Sequence, residues 1–130
     1  MRDRLTSRFK KELSICILES NVIYDVTAGA EAYKRGDYAT AVKEWRPLAE
    51  QGDVIAQYNL GLMYSTGYDI PVDDAESVSW YRLAAAQGHA DAQFNLGVMY
   101  ATGWGVPQDA AEAVRWYRLS ADREQAPREL

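Results

Sequence analysis

The chain has 130 residues, 48% hydrophobic and 25% charged, with a net charge of −5 and an isoelectric point near 4.8. This length sets one domain as the expectation, and the acidic balance argues against nucleic acid as a partner. With Cys16 the only cysteine and His89 the only histidine, an intrachain disulfide and a cysteine-rich metal site are excluded and a histidine-based zinc site is disfavoured, so no metal and no cofactor is expected.

The first segment, 1–21, is basic. Residues 1–24 carry Arg2, Arg4, Arg8, Lys10 and Lys11 against Asp3, Glu12 and Glu19, a net +2, and leave −7 on the rest of the chain. Its apolar run, Leu13 to Leu18, is bracketed by Glu12 and Glu19 and falls short of the roughly 7–15 apolar residues of a secretory leader. The cytoplasm is therefore the expected compartment, with the periplasm or secretion as the alternative. No run approaches the ~18–20 apolar residues that span a bilayer, so no transmembrane segment is expected. Leu5, Phe9, Leu13 and Ile17, with Cys16 beside them, form a helical stripe. It reads as a capping helix, as a targeting remnant, or as a helix for a membrane surface or partner. Ser7 and Lys10 match the S-x-x-K spacing of serine acyl enzymes, without any companion motif, and the match is taken as accidental.

Next comes a hairpin at 22–52. Its first helix is expected to end near Lys34, with Gly36 closing it, and its second to run from Tyr38 to Glu50. Two further hairpins follow, at 53–88 and 89–122, and they are copies. Ala56–Ala85 and Ala92–Ala121 align at a shift of 36 residues with 19 of 30 positions identical and no gap, a repeat period typical of helical arrays. A first helix is expected at Val54–Ser65 and again at Ala90–Ala101. Ala56, Leu60 and Tyr64 recur at i, i+4 and i+8 with Met63 beside them, one face of a 3.6-residue period. Gly61 and Gly97 fall inside these helices, where glycine costs about 1 kcal/mol against alanine; a close approach of a neighbouring helix explains them. A second helix is expected at Asp74–Ala86 and at Ala110–Asp122. Val78, Tyr81 and Ala85 line one face of it with Trp80 and Ala84 adjacent, and Val114, Tyr117, Ala121, Trp116 and Ser120 repeat the set. The tail, 123–130, is polar and contains Pro127.

The connecting stretches TGYDIPVDDAE and TGWGVPQDAAE carry several groups that bear on chemistry. Asp73 and Glu76, and again Asp109 and Glu112, have capping-box spacing before a helix, and the glycines Gly67 and Gly103 fall where a left-handed residue ends one. Both acids would also lie at the positive end of the helix dipole. The cluster Asp69, Asp73, Asp74 and Glu76 lacks the spacing of a calcium loop and reads as a solvated acidic edge. His89 aligns with Asp53 at a helix start and is expected to be exposed and inert.

Taken together, AQ-x-NLG-x-MY, the glycine, P-x-D-x-AE and V-x-WY-x-L resemble the Sel-one-like repeat, a relative of the tetratricopeptide repeat. YKRGDYATAVKEW in the first hairpin is closer to the tetratricopeptide form itself. The resemblance implies an all-α fold, a right-handed α-solenoid of three antiparallel helical hairpins. It also implies a bacterial, non-enzymatic adaptor that binds a protein or peptide on its concave surface. Cysteine-rich members of that family are linked to penicillin binding and weak β-lactam hydrolysis. The alternative, a cell-wall-fragment binder or weak hydrolase of that kind, is weakened by the absence of their paired cysteines.

By the same resemblance the concave surface is lined by the first helix of each hairpin. Ile55, Asn59, Leu62 and Thr66 fall at i, i+4, i+7 and i+11 there, repeated as Asp91, Asn95, Val98 and Thr102, with Tyr58 and Phe94 flanking the row. Asn59 and Asn95 match a position whose amide grips a peptide backbone, since an amide both donates and accepts. The alternative is that these asparagines tie neighbouring helices together. The open apolar face after the last helix also raises an end-to-end homodimer as an expectation.

Overall fold

The structure, a computed structural model, describes residues 26–67 and 69–125. The stripe Leu5, Phe9, Leu13 and Ile17, Cys16, the Ser7–Lys10 match and the tail from 126 onward lie outside the described residues. Within them the chain is all-helical: α1 Val26–Lys34, α2 Tyr38–Glu50, α3 Val54–Thr66, α4 Asp74–Ala86, α5 Ala90–Thr102 and α6 Ala110–Gln125. Each helix packs against the one before it and the one after it. The odd-numbered and even-numbered helices thus form the two layers of an α-solenoid.

Short polar side chains start the helices. Asp37, Asp53, Asp73 and Asp109 each accept from the backbone N–H three residues on, at 3.3, 2.8, 3.0 and 3.1 Å. Such a cap stabilises by about 1 kcal/mol. Only half of the expected capping box forms. The backbone N–H groups of Asp73 and Asp109 donate to Tyr64 O and Tyr100 O, each at 2.9 Å, so Glu76 and Glu112 have no N-cap donor left to take. Glu76 instead accepts from the Trp80 indole at 3.0 Å, and Glu112 pairs with Arg115 at 2.8 Å.

His89 is likewise not the exposed, inert residue the sequence suggests. It is half-buried, caps α5 by accepting the Ala92 N–H on Nδ1 at 3.1 Å, and stacks on Tyr58 with ring centroids 4.5 Å apart.

The helices α3 and α5 end in left-handed glycines, Gly67 at φ 72° and Gly103 at φ 79°, whose N–H groups close onto Met63 O and Met99 O. Glycine alone adopts that backbone at little cost. These two helices run one residue past the expected ends, through Thr66 and Thr102, because each threonine hydroxyl donates back to a carbonyl of its own last turn at 2.8 Å. The last helix continues to Gln125, where the Arg123 Nε donates to Gly88 O at 2.9 Å.

The core lies between the layers in two clusters. One gathers Ala32, Ala41, Trp45, Ala49, Ala56, Leu60, Met63 and Trp80; the other Val78, Tyr81, Ala84, Ala85, Ala92, Leu96 and Met99. Alanines alternate with large rings, which lets the helices interdigitate. The mid-helix glycines are explained by this packing. A Cβ at Gly61 would stand 2.5 Å from the Tyr81 ring, and one at Gly97 2.7 Å from the Tyr117 ring. Gly29 in α1 does the same for the Trp45 indole. It is chiefly the aromatic ring of the following helix that demands the glycine, although a Cβ at Gly97 would also stand 3.3 Å from the Ala113 carbonyl oxygen.

The outer layer adds an arginine latch between units. Arg46 donates to the Tyr64 hydroxyl and lies 3.7 Å from Glu76; Arg82, 36 residues on, donates to the Tyr100 hydroxyl at 2.6 Å.

Candidate functional site

Three hollows run along the described chain, and the first two share four positions of the repeat. The first, about 350 Å³, lies between α1, α2 and α3 and is lined by Ala30, Tyr33, Lys34, Trp45, Asn59, Leu62 and Met63. The second, about 210 Å³, is lined by Leu62, Ser65, Asp74, Tyr81, Asn95, Val98, Met99 and Trp104. Shifting Trp45, Asn59, Leu62 and Met63 by 36 residues gives Tyr81, Asn95, Val98 and Met99. The 36-residue repeat therefore contributes these four positions to both hollows, with Leu62 shared between the two. The third hollow, about 450 Å³, is bordered by Asp91, Phe94, Tyr117, Ser120 and Ala121 at the α6 end.

Most of the row read from the sequence lines these hollows, but not as one continuous surface. Asn59, Leu62, Asn95 and Val98 line the first two, and Asp91 and Phe94 the third. Ile55 is exposed on α3 and lines none of the three. Thr66 and Thr102 turn their hydroxyls onto Leu62 O and Val98 O of their own helices and line none of the three. Tyr58 is held between the His89 and Tyr81 rings, at centroid distances of 4.5 and 6.0 Å, and its burial raises its hydroxyl above the usual tyrosine range.

The two asparagines differ. The Asn59 side chain makes no hydrogen bond among the described residues, whereas the Asn95 amide donates to the Tyr81 hydroxyl at 3.4 Å. Tyr81 also shares a hydrogen with Ser65 Oγ at 3.3 Å, and burial raises its hydroxyl above the ordinary range despite these bonds. The cause of the difference is one ring. At the equivalent place the first hairpin has Trp45, which offers no phenolic oxygen, and whose buried indole N–H has no partner among the described residues.

Lys34, Tyr33, Asp74 and Trp104 also line the hollows and were not picked out by the sequence row. They come from a helix end, a first turn and a loop, and no helical period marks them. Asp74, read from the sequence as part of a solvated acidic edge, also borders a hollow. Among the described residues no group of three or more histidine, cysteine, aspartate or glutamate side chains is placed to hold a metal ion. No helix there is long and apolar enough to cross a membrane.

This stacking of hairpins with repeated hollows on one layer defines an α-solenoid of the kind that presents surfaces to other proteins. The Sel1 repeat matches residues 54–89 and 90–124, and the chain belongs to that family. Two solved structures share its fold. One is a Sel1 repeat protein from Oxalobacter formigenes, 35% identical with a TM-score of 0.73 over 79% of this chain and 42% of that one. The other is c5321, a protective antigen present in uropathogenic Escherichia coli strains displaying an SLR fold, 38% identical with a TM-score of 0.69 over 87% of this chain and 25% of that one. The chain thus spans less than half the length of either neighbour. No curated protein matches it. Sel1 repeat proteins are generally non-catalytic scaffolds for protein interaction.

Proposed function

We propose that this chain is a non-enzymatic adaptor that holds a peptide or a segment of a partner protein along the two repeated hollows. The observation that carries the reading is the duplication itself. Packing accounts for Met63 and Met99, which are buried in the core. The recurrence of the only partly buried Asn59 and Leu62 at a second hollow, as Asn95 and Val98, fits a surface that reads a chain at two successive points. Asn59, with its amide uncommitted, is the residue for gripping a backbone, and Leu62, shared by both hollows, supplies the apolar contact between them. The acidic body favours protein over nucleic acid as the occupant.

The test is a peptide-display selection against the full chain, followed by titration of the selected peptides. Asn59→Ala is expected to weaken binding at least ~10-fold, the loss of about one well-formed hydrogen bond in a desolvated site. Its melting temperature should stay within about 1 °C of the parent. Selected peptides that bind Asn59→Ala and Leu62→Ala as tightly as the parent would place the working surface elsewhere.

A further inference from the structure

The tryptophans are not used alike. Trp45 is buried against Gly29. Trp80 and Trp116 each lie under an arginine of the chain, with the Arg46 guanidinium carbon 5.9 Å from the Trp80 ring centroid and that of Arg115 4.5 Å from the Trp116 centroid. Trp104 is 55% exposed, and among the described residues no cation lies over it. A tryptophan face is the best of the aromatic surfaces for a cation, and this chain uses two others that way.

The position of Trp104 is set by a backbone contact. Gly105, at φ 76°, lies so near the first turn of α4 that a Cβ there would stand 2.6 Å from the Asp74 carbonyl carbon. The turn after α5 is therefore seated on the start of α4, and Trp104 and Asp74, 30 residues apart in the sequence, border the same hollow. Asp74 has no ion pair among the described residues. No basic side chain lines this second hollow, whereas the first carries Lys34 and no carboxylate. Asp69, Asp73 and Glu76 stand nearby in the sequence and add to the negative field at this end.

We propose that the second hollow is a subsite for a lysine or arginine side chain of the bound segment. The cationic head rests on the exposed indole face of Trp104 and pairs with the Asp74 carboxylate, while its methylenes run along Leu62 and Val98. The proposal rests on the groove reading above and adds a direction to it: the basic residue of the partner goes to the α4–α5 end, and its apolar residue to the hollow beside Lys34.

The experiment is an NMR titration of the full ¹⁵N-labelled chain with N-acetyl-argininamide and N-acetyl-lysinamide, with the glutamine and glutamate amides as controls. The Trp104 indole N–H and the Asn95 side-chain amide are expected to shift saturably with the two basic probes only. Asp74→Asn should weaken that binding about 2- to 5-fold, the scale of a partly exposed ion pair, with an unchanged spectrum elsewhere. Trp104→Leu should weaken it as well, by a different route, since the carboxylate stays in place. An equal shift with the glutamine amide, no saturable shift at Trp104, or full binding by Asp74→Asn overturns the subsite. The two readings separate with a display-selected peptide. One that needs Asn59 but leaves Trp104 undisturbed removes the subsite and keeps the groove; one indifferent to Asn59 removes the groove reading itself.

Discussion

The two Sel1 repeats carry nearly the same residues in different surroundings. In the first, Val78 and Tyr81 are each 2% exposed, covered by α5. In the second, Val114 is 44% exposed and Tyr117 only half-buried, because among the described residues no further helix lies on α6. Of the face expected on α6, Val114 and Ala121 are exposed and Ser120 is buried. Its hydroxyl donates to Ala90 O at 2.8 Å. Burial in a solenoid is conferred by the neighbouring repeat, so an identical motif contributes differently at each place in the array.

The largest expected contrast comes from the paired glycines. A methyl at Gly61 meets a Tyr81 ring locked in the core, and overpacking costs about 1–3 kcal/mol against a helix-propensity gain of about 1 kcal/mol. Gly61→Ala should therefore lower stability by up to about 2 kcal/mol. Gly97→Ala meets a Tyr117 ring that can swing toward solvent, so its effect should lie within about 0.5 kcal/mol of zero. Urea denaturation of the two variants checks this; equal losses would mean that the outer ring is as fixed as the inner one.

A smaller effect is expected where the two copies diverge by one residue. Buried Gln57 donates to Ala49 O at 3.1 Å and accepts from Gln87 Nε2 at 2.8 Å. Gln93 repeats the donation, to Ala85 O at 3.1 Å, but its buried Oε1 has no partner among the described residues, because Arg123 stands in the place of Gln87 and gives its Nε to Gly88 O. Arg123→Gln should restore the missing bond and stabilise by about 1 kcal/mol. A melting temperature unchanged or lowered would show that the arginine's own contacts matter more.

The smallest effect is one of pH. Burial raises Tyr81, and likewise Tyr58, above the ordinary tyrosine value of 10.0. The folded state therefore holds those protons more tightly than the unfolded chain, and this stability is complete below about pH 10 and lost as the pH rises through the folded value. Melting temperatures across that alkaline range should fall less steeply in Tyr81→Phe than in the parent. Parallel slopes would mean that Tyr81 does not titrate as a buried group.

Helix positions were legible from the sequence because local rules govern them. The segments α2 and α4 begin and end at the expected residues, Tyr38–Glu50 and Asp74–Ala86. The capping box was half right: its spacing could reveal the aspartate cap, but not that Tyr64 O and Tyr100 O would take the N–H that the glutamate needs. His89 was missed as a cap because imidazole is an unusual one, although its alignment with Asp53 was a usable signal. The asparagine row was found by period, but whether its members are free was not, since Asn95 is tied by a tyrosine on another helix and Asn59 faces a tryptophan there.

By itself the sequence determined the all-helical architecture, the period and the family, since these follow from spacing along one chain. Only the tertiary structure decided which of two equal asparagines is free, which of two equal valines is buried, and that Trp104 and Asp74 border one hollow. Each of those depends on what a neighbouring helix or loop brings within a few ångströms. A repeat written twice in the sequence cannot specify its neighbours twice in the same way, because each copy packs at a different place in the array.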